Sequence, residues 1–355
     1  MSETETTKIA LTQYSHAAGC GCKIAPQVLE EILKSSTVEV ENKKLMVGNK
    51  SNDDAAVYDL GNGTALISTT DFFMPILDDA FDFGRVAAAN AISDVYAMGG
   101  TPTLALAILG WPVNKLPTAL AQQVLEGARS ICREAGIPLA GGHSIDSLEP
   151  MFGLSVNGLI NLPHLKQNNT AKVGDVLFLT KNIGTGILAT AQKRKLLKDE
   201  DQMVLVKQLT TLNSFGEKAG KLAGVSAMTD VTGFGLLGHL VEMAEGSGLS
   251  AELSYEAVPK FESLPNYLSQ NSVPDSTFRN WNAYSTKVEF LEGVNVAEAF
   301  SVLPDPQTNG GLLIAVRPEA AEELVKLLKS AGLDKFTRPI GKMVEKTTKV
   351  ILVGK

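Results

Sequence analysis

The alternation of apolar and polar residues predicts a succession of strands and helices along most of the chain. Strands show a two-residue period, and helices show apolar residues spaced three and four apart before a terminating glycine. In the N-terminal half these patterns predict strands over 55–60, 64–70, 104–109, around 139–144 and around 152–156, and helices over 26–33, 83–98 and 118–135. The first two strands flank Gly61-Asn62-Gly63, which is typical of a β-hairpin.

A polar stretch over 161–173 fits neither period and predicts a boundary between two domains. Beyond it the pattern resumes with a strand over 176–180, a helix after Gly186 and an amphipathic helix over 318–331. We therefore expect a mobile N-terminal segment over 1–50, a first domain over 51–165 and a second domain over 170–355. Strands and helices alternate in both halves, so the fold class is α+β, with two α/β domains.

Composition narrows the possible partners and location. Of the 355 residues, 44% are hydrophobic and 20% are charged, as in a packed globular protein. The net charge of −7 gives no general attraction for nucleic acid or for an anionic membrane, so neither is expected as a partner. Only three cysteines occur, there is no signal peptide, and the longest apolar run is too short to span a bilayer. These features predict a soluble, cytoplasmic protein.

The sequence Cys20-Gly21-Cys22-Lys23 is the first candidate for chemistry. Small residues around two thiols predict a mobile loop, and an adjacent ammonium group lowers the pKa of a thiol. A catalytic or substrate-carrying loop is therefore the favoured interpretation. A metal site with His16, Cys20 and Cys22 as ligands and an incidental loop are the alternatives, although a structural zinc needs a fourth ligand.

Five aspartates stand at breaks in the apolar pattern, namely Asp53, Asp54, Asp71, Asp94 and Asp230. Asp94 is the most unusual because the predicted helix around it is mostly small and apolar, where an unpaired carboxylate is costly. Mg²⁺ binds carboxylate oxygens and shares its other positions with water and phosphate. Any one aspartate on its own is better explained by capping or a turn, but the five together predict a metal–phosphate site.

Glycine-rich stretches leave two further questions open. The residues from Gly233 to Gly238, and more loosely those from Gly184 to Ala189, match a dinucleotide-binding fingerprint. Asp230 beside the first match would repel a bare pyrophosphate, so dinucleotide binding is a minor alternative. The sequence has no Walker-type phosphate-binding loop. Residues 305–311, DPQTNGG, predict a tight loop of either structural or functional role.

These motifs together resemble the selenophosphate synthetase (selenide, water dikinase) family. The resemblance rests on CGCK at 20–23, SNDDAAVY at 51–58, STTDFF at 68–73, NAISDVYAMGG at 90–100, GGHSID at 141–146, AMTDVTGFGLLGHL at 227–240 and DPQTNGG at 305–311. The family belongs to the aminoimidazole ribonucleotide synthetase-like superfamily, which uses ATP without a phosphate-binding loop. Asn309 stands where the family pattern has serine.

The resemblance implies an activity and a fold. It implies synthesis of selenophosphate from selenide, ATP and water, with release of AMP and orthophosphate. It also implies a homodimer whose N-terminal sheets pair into a barrel, and a layered α/β C-terminal domain. Domain 51–165 would bind ATP and metal and form the dimer, and a separate protein could deliver the selenide.

The resemblance also implies a role for particular residues. Cys20 and Lys23 would be catalytic, and Cys20 stands at a position that some family members fill with selenocysteine. Mg²⁺ would be held by Asp54, Asp94 and Asp230. ATP would lie against Lys23, Ser51, Asn52, Asp53, Asp71 and Asp94, and against Gly142, His143 and Ser144 of the partner subunit. Another ATP-dependent synthetase of the same fold, acting on a purine or thiamine intermediate, and a selenium- or metal-binding carrier are the competing hypotheses.

Overall fold

Two mixed β-sheets, one from each half of the chain, organise the protein. The computed structural model describes residues 9–16, 18–24, 26–33, 42–48 and 53–355. The strands are β1 (Leu45–Val47), β2 (Ala56–Asp59), β3 (Thr64–Phe73), β4 (Thr101–Trp111), β5 (Leu139–Asp146), β6 (Met151–Asn161), β7 (Val176–Leu179), β8 (Val225–Asp230), β9 (Ser250–Ser254), β10 (Val288–Phe290), β11 (Leu312–Val316), β12 (Gly341–Val344) and β13 (Ile351–Gly354). The helices are α1 (Pro26–Leu33), α2 (Ala80–Ala97), α3 (Thr118–Glu134), α4 (Thr185–Lys193), α5 (Asp199–Thr210), α6 (Phe215–Lys221), α7 (Gly235–Gly246), α8 (Leu264–Leu268), α9 (Asp275–Tyr284), α10 (Val296–Val302) and α11 (Ala321–Ser330).

The N-terminal sheet has six strands in the order β1-β2-β3-β6-β4-β5. All of its pairs are antiparallel except β4 with β5, which run parallel. Helices α2 and α3 pack on one face of this sheet. Strand β5 forms one edge, and residues 140–146 along it are all exposed.

Close packing of α2 on α3 depends on two glycines. A Cβ atom at Gly84 would lie 1.9 Å from the carbonyl oxygen of Val124, and one at Gly127 would lie 1.9 Å from that of Phe81. No side chain fits at either position, so the two helix backbones approach each other directly. Helix α2 is buried on nearly all sides because alanines fill much of its length and because α5, α6 and β8 of the second half also contact it.

The C-terminal sheet has seven strands in the order β10-β13-β9-β12-β7-β11-β8. Strand β11, buried along its whole length, pairs antiparallel with both β7 and β8. Asp230 is the last residue of β8 and lies opposite Leu312 of β11. The end of β8 therefore carries a carboxylate toward α2, which contacts β8.

The hydrophobic pattern predicted most of these elements. The hairpin of β2 and β3 and the helix over 26–33 are confirmed, and β3 continues through Asp71 to Phe73. Strand β4 is longer than predicted, and the predicted helix over 318–331 divides into a short 3₁₀ turn and α11. The domain limits at 50, 165 and 170 stay predictions. Among the helices of the described ranges, none combines the length and apolarity needed to cross a membrane.

Candidate active site

The segment with Cys20 is folded against the protein and is not a free loop. Gly19 donates its N–H to the carbonyl of Met74 at 3.0 Å, and residues Cys20–Cys22 form one turn of 3₁₀ helix. Cys20 is 1% exposed and belongs to the hydrophobic core. The expectation that this loop cannot enter a core is wrong, because Ile76 and Thr308 pack around the small residue Gly19 and Cys20 is buried. The mobility of the loop stays a prediction.

Two partners hold Cys20 in place. Its backbone N–H donates to Thr308 Oγ1 at 2.9 Å, and its thiol donates to Asn90 Oδ1 at 3.4 Å. The same Asn90 oxygen accepts the N–H of Asn309 at 2.6 Å. Burial raises the pKa of the Cys20 thiol well above its usual range and Asp71 raises it further. Lys23 lowers this pKa as expected, but by less than burial raises it, so the expectation of a low thiol pKa is wrong here.

The ammonium of Lys23 points toward the carboxylates. Its Nζ lies 3.4 Å from Thr232 Oγ1 and 5.8 Å from the centre of the Phe234 ring. Burial on its own would lower the pKa of Lys23, but the nearby acidic groups together outweigh burial and raise it, namely those of Asp71, Cys20, Asp94 and Asp230. The ammonium therefore stays charged and gives this acidic region a fixed positive group.

Asp54, Asp94 and Asp230 face one another, and each is held by a hydroxyl group. Thr229 donates to Asp54 at 2.7 Å, Thr69 to Asp94 at 2.5 Å and Ser93 to Asp230 at 2.5 Å. Burial raises the pKa of all three carboxyls, and the neighbouring carboxylates raise those of Asp54 and Asp94 further. Three acidic groups that destabilise each other's charge are an arrangement that a cation stabilises.

Mg²⁺ fits this group of carboxylates. The Oδ2 atoms of Asp53 and Asp54 are buried, and the described residues give them no hydrogen-bond partner. Within the ranges the structure describes, no three His, Cys, Asp or Glu side chains are gathered tightly enough to enclose an ion on their own. A cation here would therefore share its coordination with ligands from outside the chain, as Mg²⁺ does with water and phosphate oxygens.

The other predicted ATP-binding residues are distributed around this cluster and beyond it. Asp71 accepts a short hydrogen bond from Asn90 Nδ2, and Asp53 accepts the N–H groups of Asp54 and Asn168. Ser51 and Asn52 lie outside the described residues. Gly142, His143 and Ser144 lie on the exposed edge strand β5, and within the described chain no hydrogen bond or charge interaction links them to the carboxylates.

The loop over 305–311 supports both the second domain and the segment with Cys20. Gln307 Oε1 accepts the N–H groups of Gly184 and Thr185, and Asp305 Oδ2 accepts that of Gly186, so the loop caps the N-terminus of α4. Its Thr308 holds Cys20 as described above, and Asn309 has a φ of 45°. Asparagine adopts this left-handed conformation more readily than serine, which accounts for Asn309 at this position.

The sequence reasoning did not identify His239 and Glu242 as part of the site. His239 Nε2 accepts the N–H of Thr232 at 3.0 Å, so its ring proton is on Nδ1, 3.4 Å from Glu242 Oε2. Burial lowers the pKa of His239 to about 3 and raises that of Glu242 to about 7. This neutral histidine orients Thr232, whose hydroxyl lies beside Lys23. The sequence did contain one indication of this role, because a histidine directly follows the glycine-rich residues 233–238.

Two alternatives find no support in the geometry. His16 pairs with Glu149 at 2.9 Å, and the described residues contain no group of His16 with Cys20 and Cys22 that could hold a metal. The glycines from Gly233 to Gly238 follow β8, whose neighbour β11 is antiparallel. A dinucleotide fingerprint requires a parallel βαβ unit at this place.

Family models and curated proteins are similar to nearly the whole chain. The models of the AIR synthase related protein match residues 52–160 with the N-terminal domain and residues 172–354 with the C-terminal domain. The selenide, water dikinase of Aeromonas hydrophila subsp. hydrophila is 54% identical over 341 residues, which cover 96% of this chain and 97% of that protein. The Pseudomonas putida protein of the same name is 54% identical and covers 97% and 98%, and that of Shewanella sp. (strain MR-7) is 58% identical and covers 92% and 92%.

Solved structures with low sequence identity share the fold. Thiamine-monophosphate kinase from Stenotrophomonas maltophilia K279a superposes with a TM-score of 0.64 at 19% identity, covering 88% of this chain and 92% of that chain. The hydrogenase maturation protein HypE of E. coli superposes with a TM-score of 0.62 at 23% identity, covering 88% and 89%. The predicted α+β fold with two α/β domains of the aminoimidazole ribonucleotide synthetase type is confirmed.

Proposed function

This chain belongs to the selenide, water dikinase family, and we propose that it makes selenophosphate from selenide, ATP and water where Cys20 and Lys23 meet the buried aspartates, releasing AMP and orthophosphate. It is an ATP-dependent enzyme of the kinase type. The observation that carries the assignment of the site is the position of Lys23. One turn of 3₁₀ helix carries the thiol of Cys20, and the ammonium of the next residue after the turn interacts with Asp71, Asp94 and Asp230.

The aspartates act on the nucleotide by orienting it. Asp54, Asp94 and Asp230 would hold Mg²⁺, which offsets the charge of the triphosphate when it is bound. Lys23 adds a positive charge beside the phosphates, and Thr232 and His239 keep its ammonium in position. Ser51, Asn52, Asp53 and Asp71 would contact the nucleotide.

Cys20 acts on the second substrate. Selenide is an anion and already a nucleophile, so the chain must deliver it and exclude water more than it must activate it. In the described arrangement burial raises the pKa of the thiol, and Thr308 and Asn90 hold the residue in place. We propose that this arrangement is the closed state of the segment. Transfer of the terminal phosphoryl group of ATP to selenide leaves ADP. A water molecule positioned among the same carboxylates then hydrolyses the ADP to AMP and orthophosphate.

The exposed face of the N-terminal sheet favours a homodimer. The strand register places Phe72, Leu104, Leu106, Ile145 and Leu159 on the face opposite α2, and each is at least 36% exposed. Large exposed apolar patches mark interaction surfaces, and β5 leaves an unpaired edge beside this one. A second copy covering this face would bury the patch, close the two sheets into a barrel and bring Gly142, His143 and Ser144 of the partner subunit to the nucleotide.

The reactivity of thiols and of selenide bears on where the protein works and on how selenide reaches it. Cys20, Cys22 and Cys132 are all free thiols in the described structure, which suits a reducing compartment, so we propose a cytoplasmic location. Free selenide is reactive, so we expect a partner protein that delivers selenide to this enzyme.

One assay tests the function and its alternatives. The protein is incubated with ATP and Mg²⁺, with and without selenide, and AMP is followed. We expect AMP that depends on selenide. AMP or ADP formed without selenide would indicate another synthetase of the same fold. No turnover with a folded protein would indicate a carrier, and either result would overturn the proposal.

A further inference from the structure

A cavity of about 390 Å³ lies against the outer side of the segment with Cys20. One wall is formed by Gly21 and Thr308, and the others include residues along α4 and in the first half of α9. Thr308 is the residue whose hydroxyl holds the Cys20 backbone. Gly21 lies between the two thiols of the segment, so the cavity lies against the segment beside Cys20.

The walls carry three cations that have no carboxylate partner among the described residues. Lys193 donates to the carbonyl of Ser15 at 2.8 Å, Arg194 to that of Asn271 at 2.7 Å and Arg279 to that of Gly21 at 2.8 Å. A carbonyl oxygen orients a cation but does not neutralise it, so these three positive charges remain available to a ligand.

Very little negative charge offsets these cations. Among the residues that the structure describes, Asp275 is the only acidic one in the cavity wall, and the ring of His16 is paired with Glu149 outside it. The protein as a whole has a net charge of the opposite sign, −7, from 39 acidic and 32 basic residues. An anion approaching this chain is therefore repelled over much of the surface and attracted at this cavity.

We propose that this cavity is an anion-binding vestibule that concentrates the anionic selenium substrate next to Cys20 before the segment closes. This inference rests on the proposed function and assigns the route taken by one of its substrates. Hydroselenide carries a negative charge at neutral pH. The cavity has room for this ion together with its hydration water, or for a small anionic molecule that donates the selenium. Arg279 and Lys193 hold the backbone of the segment at Gly21 and Ser15, so an anion drawn to these side chains would compete directly for the contacts that keep the segment closed.

The test compares a charged with a neutral thiol reagent, and it does not require turnover. The native protein is treated with iodoacetate, which is an anion, or with iodoacetamide, which is neutral, and the alkylation rates of Cys20 and Cys22 are measured by mass spectrometry. Arg194 is the residue to change, because it lines the cavity but its hydrogen bond goes to Asn271 and not to the segment. We expect Arg194→Gln to lower the ratio of iodoacetate to iodoacetamide rates about threefold or more.

A matched control separates the cavity from general surface charge. Lys195 is the next residue, is exposed and does not line the cavity, so Lys195→Gln removes the same charge while the ratio stays at its wild-type value. A ratio unchanged by Arg194→Gln, or lowered equally by both variants, would overturn the proposal.

Steady-state kinetics add a second readout. Arg194→Gln should lower kcat/KM for selenide by a similar factor while kcat/KM for ATP is unchanged, and loss of both together would count against a selenide route. If the wild-type protein formed no AMP with selenide, the proposed function would fail, and the alkylation ratios would still decide whether the cavity attracts anions.

Discussion

At the residue scale, a single thiol carries the proposed reaction with selenide. Cys20 has its backbone and its sulfur held by Thr308 and Asn90, whereas Cys22 is only half-buried. We expect Cys20→Ser to abolish selenide-dependent AMP formation with little effect on thermal stability, because serine is close in size and can donate to Asn90. Cys22→Ser should retain most of the activity. Full activity in the Cys20 variant would show that the thiol does not take part.

At the same scale, a substitution at Asp230 should affect metal binding and stability in opposite ways. Burial raises the pKa of Asp230 to about 6, so its charge is a cost to the folded state that a cation would offset. Asp230→Asn keeps an oxygen for the hydroxyl of Ser93 and removes the charge. We expect Mg²⁺–ATP affinity to fall at least about tenfold, a loss of about 1.4 kcal/mol, while the melting temperature is maintained or rises.

Calorimetric titration with Mg²⁺–ATP measures this change. Asp199→Asn, at the exposed start of α5, is the control for removal of one negative charge. Unaltered affinity in Asp230→Asn would exclude the carboxylate from the metal site.

The sequence indicated candidate residues for the site but said little about the environment in which the fold places them. Asp94 could be selected because its helix is otherwise small and apolar, and Asn90 because it lies four residues earlier on the same face. The burial of Cys20 could not be predicted, because the side chain that holds it, Thr308, lies 288 positions further along the chain. Local composition indicates that the loop is rich in glycine. Whether the loop is exposed or buried depends on a residue that is distant in the sequence.

At the element scale, the loop over 305–311 fixes the start of α4 through a buried carboxyl group. Burial raises the pKa of Asp305 to about 8. Between about pH 4 and pH 8 the folded chain keeps a proton here that the unfolded chain has released. The free energy of unfolding therefore falls as the pH rises through this range, by about 1.4 kcal/mol for each tenfold difference in proton affinity.

Asp305→Asn should flatten this dependence, because the amide is a neutral analogue of the protonated carboxyl and still accepts the N–H of Gly186. Urea unfolding of wild type and variant at pH 5, 6.5 and 8 measures the difference. Parallel curves for the two proteins would show that Asp305 does not titrate in this range.

The segment with Cys20 depends on a glycine that has no room for a side chain. Gly19 has a φ of 50°, and a Cβ atom there would lie 2.5 Å from Thr308 Oγ1. We expect Gly19→Ala to destabilise the closed segment by about 1–2 kcal/mol and to speed iodoacetamide alkylation of Cys20 about fivefold or more. The matched control is Gly61→Ala in the β2–β3 turn, where φ is 81° and a Cβ atom would meet nothing within 4 Å. Equal alkylation rates in the two variants would contradict this reading of Gly19.

Strand lengths show where the element-level prediction from sequence was incomplete. Strand β4 extends beyond 104–109 because β6 and β5 pair with it on both sides, and Thr101 and Trp111 each gain a strand partner. Hydrophobic periodicity records which face of a strand is buried. It carries no information about how far a neighbouring strand continues the hydrogen-bonded ladder.

At the scale of the whole molecule, the proposed dimer rests on the exposed sheet face. Leu106 is 40% exposed near the centre of that face. We expect wild type to sediment with twice the chain mass of 37.7 kDa and Leu106→Glu to sediment as the single chain. Met203→Glu is the control, since Met203 is 70% exposed on α5 away from the sheet. A wild type that sediments as one chain, or a dimeric Leu106→Glu, would contradict the proposed interface.

Helix α2 joins the two halves of the molecule. It packs against α3 and the first sheet on one side and against α5, α6 and β8 on the other, and it supplies Asn90, Ser93 and Asp94 to the site. Separating the halves would expose this apolar helix to water and leave the hydrogen bond from Ser93 to Asp230 without its acceptor. The chain should therefore unfold in one cooperative transition although it has two sheets, and a nucleotide bound beside α2 would raise the resistance of both halves to unfolding by the same free energy.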